Sequence, residues 1–251
     1  MSARPVLAAF HFLTTLPLPG SHQFRDEDWG RATAWYPLVG LALGAILAGL
    51  DWALRRLWPP GVAAALLLAA WVALSGALHL DGLVDCCDAL FAAVDRPRRL
   101  EILRDVHIGA FGLVGGALLL LTKYAALTAL PGGLRPSALL LIPTLGRWTM
   151  TAALLRYPYA RSGPGLGQKA QTGVGTGQLL IASASALLTT ALAAALGLGW
   201  AALALPLLTI AFAWPTARWM QSRLGGLTGD TYGALCELVE TAGLLALSVR
   251  L

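Results

Sequence analysis

Seven long apolar runs constrain this chain more than any other feature. They cover residues 36–50, 61–80, 113–130, 137–155, 178–198, 200–217 and 234–249. Several approach the roughly 20 residues that carry a helix across a bilayer. None alternates in polarity as the strands of a membrane β-barrel do. Charged residues make up only 12% of the chain and the mean hydropathy is +0.68. A soluble domain would instead show amphipathic stripes and a charged surface. The chain therefore reads as all-α: a polytopic transmembrane helical bundle of about 6–7 spans with short N-terminal and cytoplasmic helices. One integral-membrane domain covers residues 1–251. The N-terminal run from Val6 to Leu18 is short, contains His11 and is broken by Pro17 and Pro19. It reads as an interfacial or re-entrant segment, not a signal peptide.

Seven spans place the connections on alternating sides. One side receives Arg4, Arg25, Arg31, Arg96, Arg98, Arg99, Arg104, Arg156, Arg161, Lys169, Arg218 and Arg223; the other receives Arg55, Arg56, Arg135 and Arg250. This bias predicts that the first side faces the cytoplasm. Every acid but Asp51 falls on that side or at that end of a span. Carboxylates have little part in the topology rule, so their gathering asks for another cause.

The densest gathering is HLDGLVDCCDAL, residues 79–90. On a helix Asp81, Asp85 and Asp88 point within about 60° of one another. Such a cluster at a membrane edge repels itself and is expensive to desolvate. The bland alternative is a solvated helix face, but Leu80, Leu83, Leu90 and Phe91 crowd the segment. A divalent cation removes the cost, and hard oxygen donors select Mg²⁺, with Mn²⁺ as a substitute, over Zn²⁺. In the following DRPRRLEILRDVHIGAFG, Asp95 and Pro97 read as a helix start. Glu101 and Asp105 are then i,i+4 on that helix, with Arg98, Arg99 and Arg104 beside them. Carboxylates for a metal and arginines for phosphate oxygens are the parts of phosphoryl-group transfer. Membrane-surface anchoring is the alternative for Arg98 and Arg99. Cys86, Cys87 and Cys236 read as small apolar filler.

These residues resemble the cobalamin synthase (adenosylcobinamide-GDP ribazoletransferase) family. The resemblance rests on His79-Leu80-Asp81-Gly82-Leu83, Asp85, Asp88, Asp95-Arg96, Arg98 to Ile102, Asp105, Ile108-Gly109 and Phe111-Gly112. FLTTLPLP (12–19), YPLVGLALG (36–44), GRW (146–148) and GGLTGDTYGALCELVE (225–240) extend it over nearly the whole chain. Ala89, Arg104 and the Cys86-Cys87 pair depart from the family pattern. The resemblance implies a Mg²⁺-dependent transfer of the adenosylcobinamide phosphate group from adenosylcobinamide-GDP to α-ribazole or its 5′-phosphate, releasing GMP. On this reading Asp81, Asp85, Asp88 and Asp105 are catalytic and hold the metal, and Arg98, Arg99 and Arg104 contact the diphosphate. Membrane lipid is a further partner, and homo-oligomers or assemblies with other corrinoid-pathway enzymes stay open. No nucleic-acid partner is expected.

Other residues carry two readings each. Lys123 and Arg147 lie at span depth, where a charge faces a polar cavity or snorkels; both are assigned to substrate binding. So are Arg161, Asp230 and Glu237; Asp230 and Glu237, with Glu240, form a second acidic patch, while Thr228 and Asp230 alternatively read as a plain helix start. His79 either orients a ligand or caps a span, and His107 is either a base or structural. The Gly-rich stretch 162–178 is a lid or a plain loop. The tryptophans, Trp71 among them, fit an aromatic belt at span ends. An ion transporter would put acids at mid-span with a path to the far side, which the one-sided acids oppose. A CDP-alcohol or prenyl-type transferase shares the metal–diphosphate logic and would differ in its leaving group.

Overall fold

The computed structural model describes residues 3–18, 24–161 and 165–249. Pro19, residues 162–164 of the Gly-rich stretch and Arg250 lie outside the described residues. Twelve α-helices follow along them: α1 (Arg4–Leu13), α2 (Asp26–Ala32), α3 (Tyr36–Leu57), α4 (Pro60–Leu74), α5 (Leu78–Phe91), α6 (Arg96–Ile102), α7 (Ala110–Ala129), α8 (Arg135–Arg156), α9 (Leu166–Gly173), α10 (Thr176–Ala193), α11 (Trp200–Leu224) and α12 (Gly229–Ser248). No strand forms among the described residues; one isolated bridge pairs Tyr159 with Leu227.

Five segments among the described residues are long and apolar enough to cross a membrane, or six if the bent α4–α5 pair counts as one span: Asp26–Leu57, Ala110–Ala129, Arg135–Arg156, Thr176–Leu198 and Trp200–Leu224; the run 234–249, read as a span from the sequence, is not among them. The apolar run 61–80 is not one straight span, as the sequence suggests. α4 and α5 meet at 90°. The bend sits at Ser75-Gly76-Ala77, where Gly76 and Ala77 both take positive φ, +61° and +55°. A bend inside an apolar bundle must satisfy the carbonyls it frees. Thr15, just beyond α1, does so: its backbone N–H donates to Leu74 O at 2.9 Å and its hydroxyl to Ala73 O at 2.9 Å. The N-terminal segment thereby becomes part of the bundle.

α8 is the central helix and is buried on nearly every side, and its mid-helix charge, Arg147, is taken up by Glu240. Close helix approach needs small residues. Gly40 and Gly44 of α3 lie against the α8 backbone at Pro143 and Leu139, where any Cβ would collide. Gly82 of α5 plays the same part against α12: a Cβ there would stand 2.7 Å from the Asp230 carbonyl oxygen. Gly233 of α12 faces the His79 backbone in turn. These two contacts set α5 antiparallel to the first half of α12, with its aspartates level with the α12 N-terminus.

α6 starts as the sequence predicts: the Asp95 side chain accepts from Arg98 N–H at 3.1 Å, with Pro97 in the first turn. It ends sooner than expected. Arg104 N–H bonds to Glu101 O and Asp105 N–H to Ile102 O, tight i→i+3 bonds that close the helix after Ile102. Asp105 therefore stands off the helix and shares no face with Glu101.

Candidate active site

The acid face of α5 opens at one end of the bundle. Its other face, Gly82, Leu83, Cys86, Ala89 and Leu90, is buried, while Asp81 is exposed and Asp85 and Asp88 are half-buried. The predicted common face is real, but its members have different surroundings. Asp88 turns to α7 and accepts N–H groups of Gly109 and Gly112, each at 2.8 Å. Gly109 is the α7 N-cap, so the carboxylate satisfies orphan donors at a positive helix end. Asp81 and Asp85 accept no hydrogen bond and join no salt bridge among the described residues. Asp85 feels the charges of Asp81, Asp230 and Asp88, opposed by Arg161.

Asp230 reaches this place from the start of α12. Thr228 caps that helix by accepting from Thr231 N–H, and Asp230, in the first turn, pairs with Arg161 at 2.5 Å. The helix-start reading of Thr228 and Asp230 thus holds, while Asp230 stands apart from Glu237 and Glu240, which pair with Lys123 and Arg147. Arg161 also donates to Leu103 O at 2.8 Å, tying the α6–α7 connection to α12. Asp81 and Asp230 line a cavity of about 200 Å³ together with His79, Tyr36, Tyr232 and Met150, and α9 covers it through Leu166, Gly167 and Ala170. The Gly-rich stretch is in this part a docked helix. Gly30 of α2 and Gly173 of α9 touch backbone to backbone, and Lys169 pairs with Asp26 at 2.7 Å.

Three of the residues assigned to substrate binding lie elsewhere. Lys123 donates to Glu237 and Glu240 at 2.6 Å each. Arg147 donates to Glu240 and meets His79 Nδ1 at 3.3 Å. Lys123, Arg147, Glu240 and His79 are each no more than 2% exposed. Two cations and two carboxylates so buried must neutralise each other, since an unpaired charge there costs several kcal/mol. The assignment of Lys123, Arg147 and Glu237 to substrate is therefore corrected: they bind each other across α7, α8 and α12. Trp71 lies over Lys123, 4.9 Å from ring centroid to Nζ, and is buried instead of joining a belt. Asp51 of α3 pairs with Arg135 of α8.

The arginines divide too. Arg99 is buried and donates to Ala89 O at 3.1 Å and Ala92 O at 2.8 Å. It closes the C-terminal end of α5, the favoured place for a cation, and is not free for diphosphate. Arg98 makes an exposed pair with Glu101 at 2.8 Å. Arg104 is exposed on the connection between α6 and α7. Asp105 pairs with His107 at 2.7 Å, and hydrogen bonds from the His107 ring and backbone hold its carboxyl below the usual carboxylate range.

The four aspartates expected to hold metal are thus not one assembled set. Among the described residues no three His, Cys, Asp or Glu side chains stand ready as a metal site. α7 has taken Asp88, and Asp105 lies past the end of α6. What remains fits a hard cation differently. Asp81 and Asp85, one turn apart and without partners, offer oxygen donors, and Mg²⁺ commonly completes such a partial shell with water and phosphate oxygens. Sequence reasoning missed Tyr36 and Tyr232 at the cavity, for which residue type alone gives no signal.

Comparison with known proteins bears on what this arrangement serves. A family described as cobalamin-5-phosphate synthase matches residues 5–248. The adenosylcobinamide-GDP ribazoletransferase of Pseudomonas paraeruginosa is 45% identical over 97% of this chain and 97% of its own. Its namesake in Deinococcus radiodurans is 42% identical over 92% and 81%, and that of a Roseiflexus species 39% over 98% and 89%. No solved structure matches the chain significantly. With a match over almost its full length, and with an open acid face at one end of an all-helical membrane bundle, the chain belongs to the cobalamin-5-phosphate synthase family of transferases.

Proposed function

We propose that this chain transfers the adenosylcobinamide phosphate group from adenosylcobinamide-GDP to α-ribazole or its 5′-phosphate, releasing GMP. The observation that carries the reading is the pair Asp81 and Asp85, two carboxylates without partners among the described residues, the first of them lining the cavity, in a chain whose mid-bundle charges are paired. A ribazole hydroxyl oxygen forms a bond to the phosphorus that bears the cobinamide arm. The phosphoanhydride bond to GMP breaks, and GMP leaves with its electron pair. The hydroxyl proton passes to the cavity carboxylate not assigned to the metal, Asp230. Asp81 and Asp85 would hold Mg²⁺, with Mn²⁺ as a substitute, and Asp88 holds α5 in register with α7. When bound, the cation supplies charge stabilisation at the diphosphate. Arg161 and Arg104 supply further positive charge on the same side. The basic-residue bias assigns this end to the cytoplasmic face of the inner membrane.

The test is GMP release by the purified protein in nanodiscs, given adenosylcobinamide-GDP and α-ribazole, with Mg²⁺ and then with EDTA. The expected result is metal-dependent GMP release with a matching amount of cobalamin product. Folded, metal-supplied protein that releases no GMP overturns the reading.

A further inference from the structure

Three cavities away from the acid end join into one trough along the seam of α8 and α11. The innermost, about 150 Å³, lies between Leu145, Trp148, Pro206 and Ile210. The next, about 70 Å³, shares Trp148 and Ile210 with it and adds Ala152, Ala213 and Ala217. The outermost, about 540 Å³, shares Arg156, Tyr157 and Trp214 with the second and continues to Arg218 and Gln221. Ala213 and Ala217, one turn apart on α11, and Ala152 across from them on α8 leave a channel that larger side chains would fill. From Pro206 to Ala217 it is about 16 Å long, close to the depth of one bilayer leaflet, roughly 15 Å.

The walls change character along its length. The inner walls are almost wholly apolar. The mouth is cationic: Arg156 and Arg218 both line it and both are exposed, and no described acid does. Arg156 stands over the Trp214 ring, 5.3 Å from its centroid. Neither arginine side chain has a hydrogen bond or an ion pair among the described residues. A third guanidinium, that of Arg96, rests against Gly225 at the same mouth. Snorkelling alone places a cation at a span end. Here two converge on the opening of one apolar channel with their donors unspent. A phosphate oxygen is the acceptor that suits them, and the channel beneath suits a hydrocarbon chain. The basic-residue bias puts this mouth at the leaflet that carries anionic lipid.

We propose that the trough is a site for one anionic phospholipid, its phosphate held by Arg156 and Arg218 and one acyl chain laid along the alanines between α8 and α11. The site stands independently of the proposed reaction.

The test is native mass spectrometry of the protein in a non-ionic detergent, titrated separately with phosphatidylglycerol, with phosphatidylcholine of the same chains, and with inorganic phosphate. The expected result is that the first phosphatidylglycerol binds at least tenfold tighter than phosphatidylcholine, the scale of two cations at a lipid surface. In an Arg156→Gln/Arg218→Gln variant the two lipids should bind within twofold of each other. Both side chains are exposed and without partners, so this variant keeps its fold. Ala152→Leu narrows the channel and keeps the arginines, and should weaken the first phosphatidylglycerol severalfold. Equal affinity of wild type for the two lipids overturns the site, as does a double variant that keeps the preference. Unchanged affinity in Ala152→Leu overturns the place given to the chain. Inorganic phosphate that binds as tightly as the lipid also overturns the proposal, because the arginines then serve a soluble phosphate.

Discussion

Two charged regions of this molecule lie within one bundle and obey opposite rules. At mid-bundle, Lys123, Arg147, Glu237 and Glu240 are sealed from water and every charge has a partner. At one end, Asp81 is exposed and Asp85 half-buried, neither has a partner among the described residues, and Asp230 adds to their repulsion. A closed network spends its charge on holding helices together. An open one leaves charge to be completed by something that arrives. The contrast separates residues of the same chemical type, Asp or Arg, into those that maintain the bundle and those available to a ligand. His79 touches both regions: its Nδ1 meets Arg147, and the residue forms part of the cavity wall.

Substitutions test the contrast most sharply where it predicts opposite outcomes. Asp81→Asn should lower GMP release by at least a hundredfold with the melting temperature unchanged or raised, since it relieves repulsion. Lys123→Met should do the reverse, destabilising by about 3–5 kcal/mol through the uncompensated carboxylate it leaves. Adding Glu237→Gln to Lys123→Met restores charge balance and should recover a good part of that loss in a thermal melt. Asp88→Ala removes the acceptor at the α7 start and should cost about 1 kcal/mol, with a modest fall in turnover as α5 loosens. Arg98→Ala, at an exposed pair, should leave both melting temperature and turnover unchanged. A large loss of turnover there would return α6 to the diphosphate site.

Much of the open end was legible before the fold. The spacing of Asp81, Asp85 and Asp88 set a common helix face, and that face exists. What spacing could not express was the neighbour each side chain meets. Asp88 belongs to α7 because Gly109 and Gly112 bring bare N–H groups to it. Arg99 looked like a phosphate ligand by its company, but it turns back onto the end of α5. Asp105 lost its helical position because α6 tightens and stops after Ile102. The break at Ser75-Gly76-Ala77 was hidden inside an apolar run without proline, and its stability depends on Thr15, some 60 residues earlier. The closed network was half visible: Lys123 and Arg147 at span depth required a polar surrounding, and only the packing of α12 against α7 and α8 supplied it from Glu237 and Glu240.

The central claim, that Asp81 and Asp85 are left without partners to hold a cation for the transfer, is tested most directly by titrating Mg²⁺ in the GMP-release assay for wild type and Asp81→Asn in nanodiscs. The account predicts that the Mg²⁺ concentration for half-maximal release rises more than tenfold in the variant while its melting temperature holds. An active Asp81→Asn protein with the wild-type Mg²⁺ dependence would contradict it.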